Sequence, residues 1–390
     1  MNCVGAKSFA PALLCGVIAA GFAAWGTMTG GTSATPEKAA AVWAVPMPSG
    51  QTNTRTADGQ AGQKLSAQGE SELRSIAEKA DLADLKWPNF SDYREHLKNF
   101  YSAGGYTLAW IRDGKPTPQA MTLIGTMQQA DTKGLNAADY DGPAWTGRIE
   151  HLDHSPSESD LVHFDVALTV CVMRYISDLH IGKVNPKYFH FGIDVENHKY
   201  KLPEFVRENL VNSPDMQPIL EQVEPPYPGY HRDEAVLNRY LQWAKQDSGE
   251  TLPLPAKTVA PGQPFAGMKR LTQLLKLLGD LPADAKVPDN LTAYDASLVP
   301  AVKHFQTRHG IDPDGRLGAA TVKAMNTPLA SRVRQLQLTM ERWRWVPHEF
   351  SEAPIVVNIP EFRLRAYKLD GNVDLYMDVV VGKSYGHQTP

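Results

Sequence analysis

Residues 299–326 read VPAVKHFQTRHGIDPDGRLGAATVKAMN. Val299, Val302, Phe305 and Gln306 fall at helical spacing, which puts three apolar side chains on one face of a short helix. Gly310 closes that helix. Lacking a Cβ, it can take the left-handed position beyond the C-cap, with Ile311 folding back as the accompanying hydrophobic contact. Asp312-Pro313-Asp314-Gly315 then makes a turn, with φ fixed at Pro313 and a permissive backbone at Gly315. A second helix starts near Gly318, turns Val322 and Met325 inward and ends at Pro328. DPDG does not make a calcium loop, because that loop needs oxygen ligands at positions one, three and five and Gly at six, whereas Gly315 is fourth.

The combination of Phe305-Gln306, Gly310, Asp314-Gly315, Leu317-Gly318 and Thr321 in one register resembles the type 1 peptidoglycan-binding module of bacterial wall enzymes. The residues by themselves also fit a plain two-helix core. Upstream, Met268, Leu271, Leu274, Leu275 and Leu278 supply a further helix capped by Gly279, so the module is expected to have three helices. The resemblance implies peptidoglycan as partner. Arg308, Asp314, Arg316 and Thr321 are the candidate contacts, placed where polar groups can meet sugar hydroxyls or stem-peptide carboxylates. They read equally as solvated loop residues, and Thr321 alternatively steadies the second helix.

The rest of the chain sets bounds on function. At 390 residues and 42% hydrophobic composition there is material for two or three domains with real cores. A net charge of -4 and no basic run leave no electrostatic footprint for nucleic acid. Cys3 and Cys15 precede Cys171, the one cysteine in a region expected to fold. The apolar run from Ala10 to Trp25, with Lys7 before it and small residues after, reads as a signal peptide cleaved near Ala34, or as an uncleaved inner-membrane tether. Cys15 is a poor lipoprotein site because Leu14 precedes it. Residues 35–71, rich in Thr, Gly, Gln, Pro and Ala, read as a flexible linker.

Helical patterning begins at Glu72 with Leu73, Ile76 and Ala80 inward. Asp92 and Glu95 resemble a capping box for a helix carrying Tyr93, Leu97, Phe100 and Tyr101. Tyr106, Leu108 and Trp110 alternate as in a strand before Asp113-Gly114. Helices follow over Met121–Lys133 and, most clearly, Ser159–His180, with Arg174 and Asp178 as an i,i+4 surface pair. A helix over Asp233–Lys245 precedes prolines at 253, 255, 261 and 264, which mark 251–264 as a stiff, extended linker. After Pro328 another helix carries Leu329, Val333, Leu336, Met340 and Trp343. Ile355 to Ile359 is strand-like, and Phe362–Ala366 and Leu375–Val381 alternate around Asp370-Gly371 as a β-hairpin.

ADTKGLNAADY (130–140) and DVALTVCVMRYISDLHIGKVNP (165–186) resemble the scaffold region of large Gram-negative L,D-transpeptidases, and MERWRW (340–345) resembles the signature that in that family leads directly into the catalytic domain. Thr339 departs from the Asn expected there. The resemblance implies a scaffold domain over 72–250, a peptidoglycan-binding module over 265–328, a connecting helix over 329–352 and the opening of a catalytic domain over 353–390. The expected fold is therefore α+β: a mostly helical scaffold, a small three-helix module and the first β-hairpin of a β-rich domain.

Such an enzyme attacks a peptide carbonyl with a cysteine thiolate, assisted by a His and by oxyanion donors. In the family that cysteine sits in a Ser-His-Gly-Cys motif, which residues 353–390 do not contain. No catalytic residue, metal ligand or cofactor is therefore assigned. Cys171 lies on an apolar helix face, where burial makes a thiol inert. His151 and His154 form an HxxH pair near His163, but within a polar loop and without HExxH or a Cys pair. His309, before Gly310, is expected to serve a helix C-terminus. Three roles remain: the wall-binding part of an L,D-transpeptidase that ends before its catalytic motif, a non-enzymatic wall-binding adaptor, or a zinc carboxypeptidase or amidase that uses the same module. Residues 353–390 are expected to be disordered or aggregation-prone in isolation, as an unpaired strand pair with exposed edges would be.

Overall fold

The computed structural model describes residues 62–189, 193–288, 291–350, 352–359, 362–368 and 372–380. The α+β expectation holds, with helices dominant. In chain order they are α1 (Ala67–Lys79), α2 (Arg94–Ala103), β1 (Ile111–Arg112), β2 (Lys115–Pro116), α3 (Pro118–Gln128), α4 (Trp145–Leu152), α5 (Glu158–Ile181), α6 (Leu202–Asn209), α7 (Gln217–Val223), α8 (Pro228–Gln246), α9 (Met268–Leu277), α10 (Val299–Arg308), α11 (Ala319–Met325), α12 (Leu329–Trp345), β3 (Ile355–Asn358), β4 (Arg363–Tyr367) and β5 (Val373–Asp378). The chain divides into two compact units. One takes the described residues up to Tyr230 together with Met340–Glu349. The other takes His231–Thr339 and the described residues from Phe350 onward.

The first unit is built around α5, which runs for about 36 Å at 1.5 Å per residue. Leu161, Phe164, Leu168, Val172, Tyr175 and Leu179 are all buried on it, and each such side chain is worth about 1.5–3 kcal/mol when fully removed from water. The helix starts at a capping box: Ser157 accepts from the Asp160 backbone, and Asp160 accepts from the Ser157 backbone. The box expected at Asp92 and Glu95 is not formed. A 3-10 turn at Ser91–Tyr93 leads into α2, whose N-cap makes no side-chain bond. The Arg174–Asp178 surface pair is also corrected. Arg174 donates to the carbonyls of Trp87 and Asn89, and Asp178 instead accepts from the Tyr140 hydroxyl at 2.8 Å.

MERWRW is part of this unit's interior. Trp343 stacks on Tyr227 at 5.4 Å and fills the space that a Cβ on Gly229 would need. Arg344 is 1% exposed and donates to the Lys133 carbonyl and the Tyr230 hydroxyl. Glu341 receives the backbone N–H groups of Lys183 and Val184 at 2.7 and 3.1 Å. Met340 and Arg344 of the signature are thus buried, while Glu341 and Trp343 make their contacts from half-buried positions.

In the second unit, α9, α10 and α11 form the expected three helices, with Leu271, Leu274, Leu275, Val302, Phe305 and Val322 in their core. Residues 251–264 do not run free as a spacer. Leu252 is buried and exchanges two backbone bonds with the Asn326 side chain, at 2.7 and 2.8 Å, and Val259 bridges Leu317. The last strands form a three-stranded antiparallel sheet, β3-β4-β5, in which the strand expected at 355–359 pairs with the first strand of the hairpin. All six residues of β5 are exposed, Leu375 and Met377 among them. The Asp370-Gly371 turn lies outside the described residues.

Candidate functional site

The helix–turn–helix of residues 299–326 is assembled around one polar side chain. α10 ends as the sequence requires: Gly310 takes φ +65, its N–H bonds the Thr307 carbonyl, and Ile311 N–H bonds the Gln306 carbonyl at 2.9 Å. These two bonds close the helix and reverse the chain. The Asp312–Gly315 segment then folds back over the Gln306 side chain. Gln306 Nε2 donates to Asp314 Oδ1 (2.8 Å), the Arg316 carbonyl (3.1 Å) and Thr321 Oγ1 (3.1 Å). Its Oε1 accepts from Gly315 N at 2.8 Å. Tyr294 donates to the Gly315 carbonyl from the other side. Gly315 sits at φ +73 with Val299 and Lys303 within 3.2 Å of any added Cβ, so both conformation and space require glycine.

This arrangement separates the four candidate residues. Thr321 is 2% exposed and its hydroxyl is taken by Gln306. Arg308 is also buried, and its guanidinium grips both oxygens of Asp280, Nε to Oδ1 at 2.7 Å and Nη2 to Oδ2 at 2.5 Å. Asp280 additionally meets His304 Nδ1, and Arg308 reaches the Tyr240 hydroxyl. Arg308 and Thr321 therefore do not face solvent at the turn. Asp314 and Arg316 do, side by side on an exposed loop. Asp314 uses only Oδ1 to receive the Gln306 amide and the Arg316 backbone N–H. The Arg316 backbone bond and then the Gln306 amide hold the Asp314 carboxyl below the usual range against slight desolvation, so it is ionised at neutral pH. The loop presents a fixed anion and a cation to solvent, complementary to hydroxyl donors and to carboxylates.

The cysteine and three of the histidines singled out in the sequence have these surroundings. Cys171 is fully buried and burial pushes its thiol up to about 12, which leaves it protonated and inert. His151 Nε2 lies 3.2 Å from Asp160, and His163 sits between Glu72 and Asp84, at 3.2 and 3.0 Å. Both histidines line a cavity of about 460 Å³ floored by Leu152 and Phe164. His309 stacks on Phe305 at 3.9 Å and bonds the Phe305 carbonyl. Burial, and then Arg308, push its pKa down to about 4, so it sits neutral at the helix end and brings no charge to the dipole.

Gln306 belongs to the sequence pattern of the module, but its role as the buried centre of the turn is visible only in the structure. The available signal was a polar residue beside Phe305 on an apolar stripe, followed eight residues later by Asp314-Gly315.

A Scaffold domain family matches residues 95–237, and a peptidoglycan binding domain family of type 1 matches residues 266–325. The chain thus carries both domains, an arrangement consistent with an L,D-transpeptidase-like protein. The second supports a peptidoglycan-associated role and a cell-envelope location. No curated protein matches the chain. Among the described residues no helix is long and apolar enough to cross a membrane. The apolar segment Ala10–Trp25, with its signal or tether reading, lies outside them.

Proposed function

We propose that this chain is the scaffold and wall-binding part of a periplasmic L,D-transpeptidase, exported through its N-terminal apolar segment and, where that segment is retained, tethered by it to the inner membrane. The observation that carries this reading is the order of the two matched domains, a Scaffold domain followed by a peptidoglycan-binding domain. MERWRW supports it, because Met340 and Arg344 are buried in the helical unit and Trp343 stacks on its Tyr227.

On this reading the exposed Asp314–Arg316 loop holds peptidoglycan. Asp314 accepts from sugar hydroxyls and Arg316 pairs with stem-peptide carboxylates. Residues 353–390 open the transpeptidase domain. The complete enzyme joins stem peptides through a thioester on a cysteine, and Cys171, buried and protonated, is not that nucleophile. The stretch described here contributes binding and positioning.

The enzymatic part is tested by capturing the native protein from envelopes of its source and measuring intact mass before and after carbapenem treatment. A mass above 43.0 kDa by about 100–150 residues, plus a carbapenem adduct, supports it. A mass at or just below 43.0 kDa with no adduct contradicts it and leaves a wall-binding adaptor.

A further inference from the structure

The C-terminal end of α5 meets the segment that follows α12 through two histidines. His180, 7% exposed, places Nδ1 3.0 Å from the Val223 carbonyl and Nε2 2.9 Å from the His198 carbonyl. A neutral imidazole carries one N–H, so it donates to one carbonyl and turns a lone pair toward the other, whereas an imidazolium donates to both. The Tyr200 ring stacks on His180 at 4.1 Å, and the His348 ring stands against it at 4.4 Å and nearly a right angle.

His348 is placed the opposite way. Its ring donates to the His180 carbonyl, one of the last four of α5, which have no partner within the helix. Its Nε2 is buried with no hydrogen-bond partner among the described residues. That place suits a lone pair. A proton there would make a buried N–H⁺ without an acceptor, beside a second histidine. Burial, then His180 and His198, hold the His348 ring down to about 3 against its bond to the His180 carbonyl, and burial holds His180 below its usual range. Neither ring has a carboxylate on its nitrogens among the described residues. The charged and titratable neighbours are otherwise engaged or set apart. Asp92, Tyr93, His96 and Lys199 line a cavity of about 140 Å³ beside His180, Glu204 acts on His96, Glu224 next to Val223 pairs with Lys133, and Asp178 on α5 accepts from Tyr140.

We infer that His180 and His348 form a pH-sensitive latch: neutral, they pin Val346–Glu349 to the C-terminal end of α5, and protonated, they release it. His180 has an acceptor waiting for the incoming proton, so it takes the charge in place. His348 has none, and it escapes both its buried site and the charged ring beside it by leaving. A pKa depressed in the closed form means that the closed form binds protons less readily than the released one. Closure is therefore at full strength above about pH 6.5 and weakens by about tenfold per pH unit below it for each histidine, until that histidine's own closed-state pKa is reached. Tyr227 donates to the Pro347 carbonyl as a second tie on the same segment. This segment is the covalent lead from α12 into β3, so acid adds Val346–Glu349 to the free connection ahead of the strands.

The test is hydrogen exchange of the full chain at pH 7.5 and pH 5, read by mass spectrometry and corrected for the pH dependence of intrinsic exchange. Protection in the last turn of α12, Arg342–Val346, is expected to fall by about tenfold or more at pH 5, while α10 keeps its protection. His348→Asn keeps a donor for the His180 carbonyl and His348→Phe keeps a ring against His180, and neither can titrate. Both are expected to hold their protection across the same interval. No fall in wild type, a fall that persists in either folded variant, or a fall spread through the whole helical unit would overturn the inference. Should neither variant close at pH 7.5, the wild-type profile decides: a fall that begins near pH 6.5 supports the latch, and one that begins only near about pH 4.5, in the carboxylate range, overturns it.

Discussion

Two loops in this molecule are fastened to helices by a buried polar side chain, and the chemistry of the fastener differs. In the helical unit, Asp165 on α5 receives the Tyr101 hydroxyl at 2.7 Å and the backbone N–H groups of Ala109 and Trp110 at 3.1 and 2.7 Å. In the three-helix module, Gln306 on α10 donates to three oxygens and accepts from one N–H. The groups to be satisfied select the residue. Three converging donors suit a carboxylate, which only accepts, whereas a mixed set suits an amide, which does both. The charge has a cost that the amide avoids. Burial pushes the Asp165 carboxyl up to about 6, although the Trp110 N–H, Tyr101 hydroxyl and Ala109 N–H pull the other way.

The largest effect should come from removing the charged fastener. Asp165→Ala strands the buried backbone N–H groups of Ala109 and Trp110, leaves the Tyr101 hydroxyl only Thr169 Oγ1, and is expected to destabilise the helical unit by about 3–5 kcal/mol, read by denaturant unfolding. A loss below 1 kcal/mol would mean that α5 and the 109–112 segment hold together by apolar packing alone. The mirror experiment is Gln306→Glu, which keeps the acceptor but replaces the donor with a carboxylate facing Asp314. A cost of about 2–4 kcal/mol is expected in the module at pH 7, easing toward pH 4 as the new carboxyl protonates and can donate again. A pH-independent cost would show that shape rather than hydrogen bonding was lost.

Asp178 sharpens the point about charge. Burial, aided by Glu341, pushes its carboxyl up to about 7 against the Tyr140 hydroxyl, Lys183 and Arg344. A folded-state pKa above the unfolded value means that the folded protein binds the proton more readily. The penalty for ionised Asp178 is therefore full above about pH 7 and fades as pH falls toward 4. Asp178→Asn, which can still accept from Tyr140, is expected to stabilise by about 1–2 kcal/mol at pH 8 and by little at pH 4.5. Stability gained equally at both values would contradict the assignment. The smallest effect on stability is expected from Asp314→Ala/Arg316→Ala, under about 1 kcal/mol by thermal unfolding, because Gln306 Nε2 keeps the Arg316 carbonyl and Thr321 Oγ1 as acceptors when Asp314 is lost, and the Arg316 N–H lies on an exposed loop.

What could be read from sequence was what local spacing determines. α5 and α10 follow from apolar periodicity, and the Gly310–Ile311 closure follows from glycine chemistry. The contacts that reassign individual residues are long-range. Arg308 is a buried partner because Asp280, 28 residues earlier, meets it, and no local pattern announces that pair. Thr321 is buried because Gln306 reaches it across the turn. The Asp92–Glu95 box had the right residues, but a 3-10 turn at Ser91–Tyr93 set the helix start elsewhere. Residues 251–264 look like a spacer by proline count, yet Leu252 and Val259 each find a partner in the module. The candidate site was thus legible as a loop, and only its exposed half, Asp314 and Arg316, remains suited to a ligand.

The central claim is that this loop holds peptidoglycan. The most direct measurement is the affinity of the full chain for purified sacculi, compared between wild type and Asp314→Ala/Arg316→Ala, with melting curves recorded on the same samples. The predicted result is a loss of about tenfold or more with the melting temperature preserved. Unchanged affinity in a folded double variant would contradict the claim.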